Sequence, residues 1–323
     1  MSTDNTMRAI TQDSLGGPEV LRLAEVARPR PLPTEIQVRV HAAGVNPVDW
    51  KTRAGGGVRG VLGEPPFILG WDVSGVVSEV GGGVNTVQVG DEVYGMPWFP
   101  RQAGAYAEYV TAPSRQFARK PATIRHDQAA AVPLAGLTAW QLLVDAAKVE
   151  AGQRVLVHAA AGGVGHLAVQ IAKHLGAYVI GTASAAKHDW LRSLGADEVV
   201  DYHNVRFEDA VHQVDAVIDL VGDEHDSTST RSLRTLRPGG ILVPVPSGVS
   251  PDLVRAGQEQ GLRVSGFLVE PDGHALSRIA ALIDKGVVTV GLDDVLPLEQ
   301  AAEAHRRGEA GETRGKLVLR VAS

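Results

Sequence analysis

Residues 154–165 read RVLVHAAAGGVG, and the end of that run, Ala160-Ala161-Gly162-Gly163-Val164-Gly165, is a G-x-G-x-x-G pattern with alanine in the first place. Such a turn binds phosphate through its backbone. Gly162 lets the main chain approach a pyrophosphate, Gly163 and Val164 lead into a helix whose first N–H groups are unpaired, and Gly165 lets that helix close on the strand. About twenty residues on, where NAD-specific folds carry an acid for the ribose 2′-hydroxyl, the chain has Gly181-Thr182-Ala183-Ser184. No carboxylate is there to repel a 2′-phosphate. Lys187 adds a positive charge one turn into the next helix, and Ser184 and Tyr202 can donate hydrogen bonds. The set favours NADPH over NADH.

A glycine-rich turn by itself also serves as a tight strand-to-helix connection, so the elements around it decide. Val155, Leu156 and Val157 suit a strand covered on both faces. Leu167, Ala168, Ile171, Ala172 and Leu175 then recur at helical spacing. Further strands are expected at 178–182, 198–202, 215–221 and 241–245, with helices between them. That alternation is a doubly wound parallel sheet. Pro244 and Pro246 sit awkwardly in the last of these strands. Before about residue 121 the pattern differs: short apolar stretches (21–26, 36–42, 73–80, 105–111) are punctuated by Gly and Pro, with no crossover helix evident. This predicts an all-β barrel or sandwich. An apolar helix is expected at 127–148, and after residue 266 a helix (274–286), a strand ending at Pro297, a helix (298–307) and a last strand (316–321).

A chain of 323 residues accommodates two cores. The net charge of -6, without a basic stripe, argues against a nucleic-acid surface. With no cysteine, thiolate metal sites, disulfides and thiol catalysis are excluded. The start, MSTDNTMRAI, has no signal pattern, and the most apolar stretch, 129–144, is interrupted by Pro133, Gly136, Thr138 and Gln141. The expectation is a cytoplasmic protein with no membrane partner. The eleven histidines are nowhere closer than eight residues apart, so no local chelating pair exists. Nor is there a G-x-S-x-G elbow for acyl hydrolysis.

The segments GVNPVDWK, FILGWDVSGVVSEVG, VGDEVYG, GAYAEYV, AGLTAW, AAAGGVG and RGKLVL occur in that order across essentially the whole chain. Together they resemble the zinc-independent quinone oxidoreductase branch of the medium-chain dehydrogenase/reductase superfamily. The resemblance implies an α/β architecture: a GroES-like β-rich catalytic domain (1–124 and 268–323) and a Rossmann NADPH-binding domain (125–267), with nicotinamide and substrate in the cleft between. Zinc relatives carry a cysteine where this chain has Asn46 and Gly-His-Glu where it has Gly70-Trp71-Asp72, so the resemblance implies no catalytic metal.

By position, the resemblance places Asn46 and Thr138 at the nicotinamide and Val221 with Gly222 near the adenosine. It places Val245, Pro246 and Ser247 at the end of the fifth strand, and Phe267, Leu268 and Val269 beside the carboxamide. Lys187 and Tyr202 become 2′-phosphate ligands. The oxygen that gains charge during hydride transfer needs a donor, for which the candidates are Asn46, Lys51 and Asp49, or solvent. Where quinone reductases often carry a tyrosine, this segment has Trp50 and Lys51. The implied activity is NADPH-dependent two-electron reduction of a small-molecule quinone. The alternatives are an enone or enoyl reductase, in secondary metabolism for instance, or a nucleotide-binding protein without turnover. A homodimer through an edge of the Rossmann sheet is also implied.

Overall fold

The computed structural model describes residues 5–322 apart from 225, 247 and 312. The chain forms two compact units: Thr138–Val269 with Val287–Thr289, and Met1–Leu137 with Glu270–Gly286 and Val290–Ser323.

The core of the first of these is a six-stranded sheet, parallel at every pairing. Its order across the sheet is Glu198–Val200, Tyr178–Thr182, Arg154–Val157, Val214–Asp219, Leu236–Pro244 and Arg263–Val264. Chain order reverses on either side of Arg154–Val157, as in the doubly wound fold. Leu156, Ile180, Val217 and Leu242 cluster with Phe207, Leu233, Leu253 and Leu262, each burial worth about 1.5–3 kcal/mol. The helix Gly165–His174 buries Leu167, Ala168, Ile171 and Ala172, read from their spacing, but His166, Val169 and Gln170 are buried too, so it is covered on more than one face, and Leu175 beyond its end is only half-buried.

Four details differ from expectation. The fourth strand, Val214–Asp219, stops short of the expected residue 221. The fifth strand starts earlier, at Leu236, and ends at Pro244, where the missing N–H costs no ladder bond; Val245 N–H then bonds Asp219 O at 2.9 Å. The third strand stops at Val200, which leaves Tyr202 in the turn beyond it. Gln141–Ala146 winds as a wide π-helical segment, and the expected helix 127–148 is divided into it, His126–Ala130 and Pro133–Trp140, with Pro133 opening a new first turn.

The other unit is β-rich. A seven-stranded sheet is centred on the long strand Glu35–Val45, and a three-stranded sheet joins Leu21–Ala27, Thr6–Gln12 and Phe67–Ile68. The last strand, Lys316–Arg320, pairs antiparallel with Glu35–Val45, setting Leu317 opposite Val45. The expectation of an all-β unit is corrected by the short helices Pro47–Arg53 and Arg59–Leu62. Their short length hides any apolar periodicity, yet the start of the first is written locally. Pro47 occupies the first helical position, and the Asp49 carboxylate takes the Asn46 N–H at 2.6 Å.

Candidate active site and dinucleotide turn

Apart from Thr138, the expected cofactor contacts described in the Rossmann-like unit follow the carboxyl ends of strands. Gly162, Gly163 and Val164 follow the first strand and precede the helix that starts at Gly165. The turn is tight: a Cβ at Gly165 would lie 2.3 Å from Ala159 O, and one at Gly162 would lie 3.2 Å from the same oxygen. Ser184 precedes the single 3-10 turn Ala185–Lys187, with Lys187 N–H on Ser184 O at 2.9 Å. Tyr202 is exposed, its ring 4.2 Å from that of His203. Val221 and Gly222 donate their N–H groups to one oxygen of Asp219, at 2.8 and 3.1 Å. A Cβ on Gly222 would come within 3.4 Å of Pro246, so the loops after the fourth and fifth strands adjoin. Phe267 is half-buried, Leu268 exposed and Val269 buried. Thr138 is buried within Pro133–Trp140, and Ser247 lies outside the described residues.

Behind the turn stands His158, which follows the strand Arg154–Val157, is buried, and was not singled out in the sequence. Ser232 Oγ donates to Thr228 O at 2.6 Å, so it accepts from His158 Nε2, 2.9 Å away. Nδ1 therefore accepts from the Thr182 hydroxyl at 3.1 Å. Burial pushes this imidazole down to about 4, so it is neutral near pH 7. Ala160 N–H also bonds Thr182 O at 3.0 Å, which ties the glycine turn to the end of the second strand.

In the β-rich unit, Asn46, Asp49, Asp72, Tyr106, His305 and Lys316 are brought together and all are buried. Asn46 Nδ2 donates to Asp72 Oδ2 at 2.8 Å, while Lys316 Nζ donates to Asn46 Oδ1, to Val45 O at 2.9 Å and to Asp72 Oδ2 at 3.4 Å. The other Asp72 oxygen accepts the Leu134 N–H at 2.6 Å. Gly44 permits this approach, because a Cβ there would sit 2.5 Å from Asp72 Oδ2. A chain of donors runs to Asp49 from the far side. Arg53, which can only donate, lies 3.1 Å from His305 Nδ1, so His305 Nε2 carries the proton and faces the Tyr106 oxygen at 3.2 Å. Tyr106 in turn donates to Asp49 Oδ2 at 2.9 Å. Among the described residues, Asp49 Oδ1 has no hydrogen-bond partner. Burial, reinforced by the charge of Asp72, lifts Asp49 to about 7 against its N–H and hydroxyl donors. Burial, with the charge of Arg53, lowers His305 to about 3.

Lys51 is exposed on the same short helix as Asp49. Trp50 packs on the helix Ala301–Glu309, where a Cβ on Gly308 would lie 2.6 Å from its ring. Trp71, in the place of the zinc relatives' histidine, donates its indole N–H to Arg101 O at 2.7 Å and meets Phe99 edge-on at 5.6 Å. The sequence reading did not single out Asp72, Tyr106, His305 or Lys316 as site residues. Three of them stood in quoted segments (GWD, GAYAEYV, RGKLVL), but only pairing across the sheet puts them around Asn46.

Residues 32–122 match the alcohol dehydrogenase GroES-like domain, and residues 194–319 match the zinc-binding dehydrogenase family. A 2-haloacrylate reductase from a Burkholderia species is 35% identical over 94% of this chain and 96% of its own length. The solved quinone oxidoreductase of Coxiella burnetii superposes with a TM-score of 0.92 at 39% identity, covering 98% of this chain and 99% of that one. The chain belongs to the medium-chain dehydrogenase/reductase superfamily, on its quinone oxidoreductase branch. The Escherichia coli quinone oxidoreductase solved with NADPH is also similar to this reductase, with a TM-score of 0.86 at 31% identity over 97% of this chain and 100% of that one.

One matching family is described as zinc-binding, but the donor set of this reductase does not fit zinc. The chain has no cysteine. Among the described residues, no group of three or more His, Asp or Glu could hold a metal ion. The oxygens of Asp72 are committed to Leu134, Asn46 and the Lys316 ammonium, and a second cation there would meet like charge.

Proposed function

We propose that this reductase uses NADPH to reduce a quinone by two electrons. The observation that carries the reading is that the glycine turn, Ser184 with Lys187, Tyr202, Val221, Val245 with Pro246 and the segment Phe267, Leu268 and Val269 all follow carboxyl ends of successive parallel strands. That is where open α/β sheets bind ligands. Gly162, Gly163 and Val164 receive the pyrophosphate on the N-terminus of Gly165–His174. Ser184, Lys187 and Tyr202 bind the 2′-phosphate, a site from which the acid of NAD-specific folds is missing. Thr138 and Asn46 serve the nicotinamide end. When bound, NADPH supplies the hydride. An electron-poor acceptor needs only a donor for the oxygen on which charge develops, and Asn46 supplies it. Asp49 holds the Asn46 main chain, Lys51 on the same short helix is an exposed second donor, and water completes the protonation.

Reduction of an activated C=C bond uses the same groups, and the similarity to a 2-haloacrylate reductase favours it as the second reading. The test follows NADPH absorbance with ortho- and para-quinones, enones and alcohols. Quinone turnover supports the first reading and enone preference the second; thermal stabilisation by NADPH with no turnover would remove both. The reading includes a homodimer joined through an edge of the parallel sheet, to be checked by sedimentation, and a cytoplasmic setting. Among the described residues no helix is long and apolar enough to cross a membrane.

A further inference from the structure

We infer that Lys316 and Asp72 are positioning residues that lock and polarise the Asn46 amide, so that its one uncommitted N–H is the donor offered to the acceptor's oxygen. This rests on the role proposed above for Asn46. An asparagine side chain has one acceptor oxygen and two N–H donors. Here the oxygen is held by the Lys316 ammonium and one N–H by Asp72 Oδ2 at 2.8 Å. One N–H remains. The amide cannot turn over, since that would put its NH2 against an ammonium and its oxygen against a carboxylate.

Neither partner is free to act on a substrate directly. The three protons of Lys316 go to Val45 O at 2.9 Å, Asn46 Oδ1 and Asp72 Oδ2 at 3.4 Å. Asp72 is fixed from behind by the Leu134 N–H at 2.6 Å. Any influence they have on the reacting oxygen therefore runs through Asn46. A cation bonded to the amide oxygen withdraws electrons and makes the remaining N–H a stronger donor, the more so in a low-dielectric interior. Strand register fixes the arrangement: Leu317 pairs with Val45, which brings Lys316 beside Asn46 from the far end of the chain.

A double-mutant cycle separates this role from that of a structural ion pair. Turnover of 1,4-benzoquinone and methyl vinyl ketone is measured for wild type, Asn46→Ala, Lys316→Met and the double variant, with the NADPH Kd and Tm of each. The expected result is that Lys316→Met lowers kcat about tenfold or more with the NADPH Kd nearly unchanged, and that it changes kcat little once Asn46 is alanine. Equal losses in both backgrounds would overturn the inference, as would weakened NADPH binding at wild-type kcat. If Lys316→Met does not fold, the charge-neutral pair Asp72→Asn/Lys316→Met takes its place in the same cycle. A slow Asn46→Ala beside a Lys316→Met variant at wild-type rate sinks the inference alone. Asn46→Ala at wild-type rate, or a wild type that turns over neither probe, sinks the role of Asn46 with it.

Discussion

Replacing Asp49 with asparagine should make the stability of the protein less sensitive to a rise in pH from 5 to 8, by an amount the structure sets. The carboxyl is buried, one oxygen has no partner among the described residues, and its pKa rises from 3.8 to about 7. Between those two values the folded chain keeps a proton that the unfolded chain has released. Stability therefore falls as pH rises through this window, by about 1.4 kcal/mol per pH unit, and the loss levels off above pH 7 or so. From pH 5 to pH 8 this one group removes about 3 kcal/mol. Asparagine keeps an oxygen for the Asn46 N–H and the Tyr106 hydroxyl and carries no charge to desolvate. Urea unfolding of both proteins at several pH values between 5 and 8 gives the difference in stability at each, with the remaining titrating groups largely cancelling. The difference should move in favour of the variant as pH rises. A difference that stays flat from pH 5 to pH 8 would mean that Asp49 is ionised throughout, and the burial reasoning would be wrong.

Other outcomes are expected. Lys187→Ala should raise the KM for NADPH about tenfold or more and leave that for NADH nearly unchanged, because a charge-assisted bond to phosphate is worth about 1.5–3 kcal/mol; steady-state kinetics with both cofactors decide it. Gly165→Ala should destabilise the protein by about 1–3 kcal/mol, since its Cβ would lie 2.3 Å from Ala159 O; thermal melts against Gly162→Ala, where the approach is 3.2 Å, check the contrast. His158, lowered from 6.5 to about 4, contributes stability that is present above pH 6.5 and lost as pH falls toward 4; His158→Gln should flatten that acid limb in unfolding curves. Lys316→Met should cost about 3–5 kcal/mol by stranding Asp72, and Asp72→Asn/Lys316→Met should recover most of it, as read by Tm.

The glycine turn and the parallel strands around it were legible because their signals are local. A run of aliphatic residues, a G-x-G-x-x-G spacing and a helical apolar face each occupy one stretch of chain, and the strand Tyr178–Thr182 appears with the bounds read for it. The short helix Pro47–Arg53 was not legible, since seven residues are too few for periodicity and its start depends on one carboxylate bond. The expectation of a 2′-phosphate likewise rested on which residue types are present: a missing acid and a lysine at 187 need no fold to be noticed. The surroundings of Asn46 belong to the other kind. Asp72, Tyr106, His305 and Lys316 lie 26, 60, 259 and 270 positions further along the chain, and no spacing rule links them. Their grouping follows from antiparallel pairing of the last strand with Glu35–Val45 and from a close approach that Gly44 allows. Charge and hydrogen-bond state are settled by that same burial. Composition supplied an aspartate, a lysine and an asparagine; desolvation and the geometry of the donors around them decided which proton is held, which is shared and which is left to give.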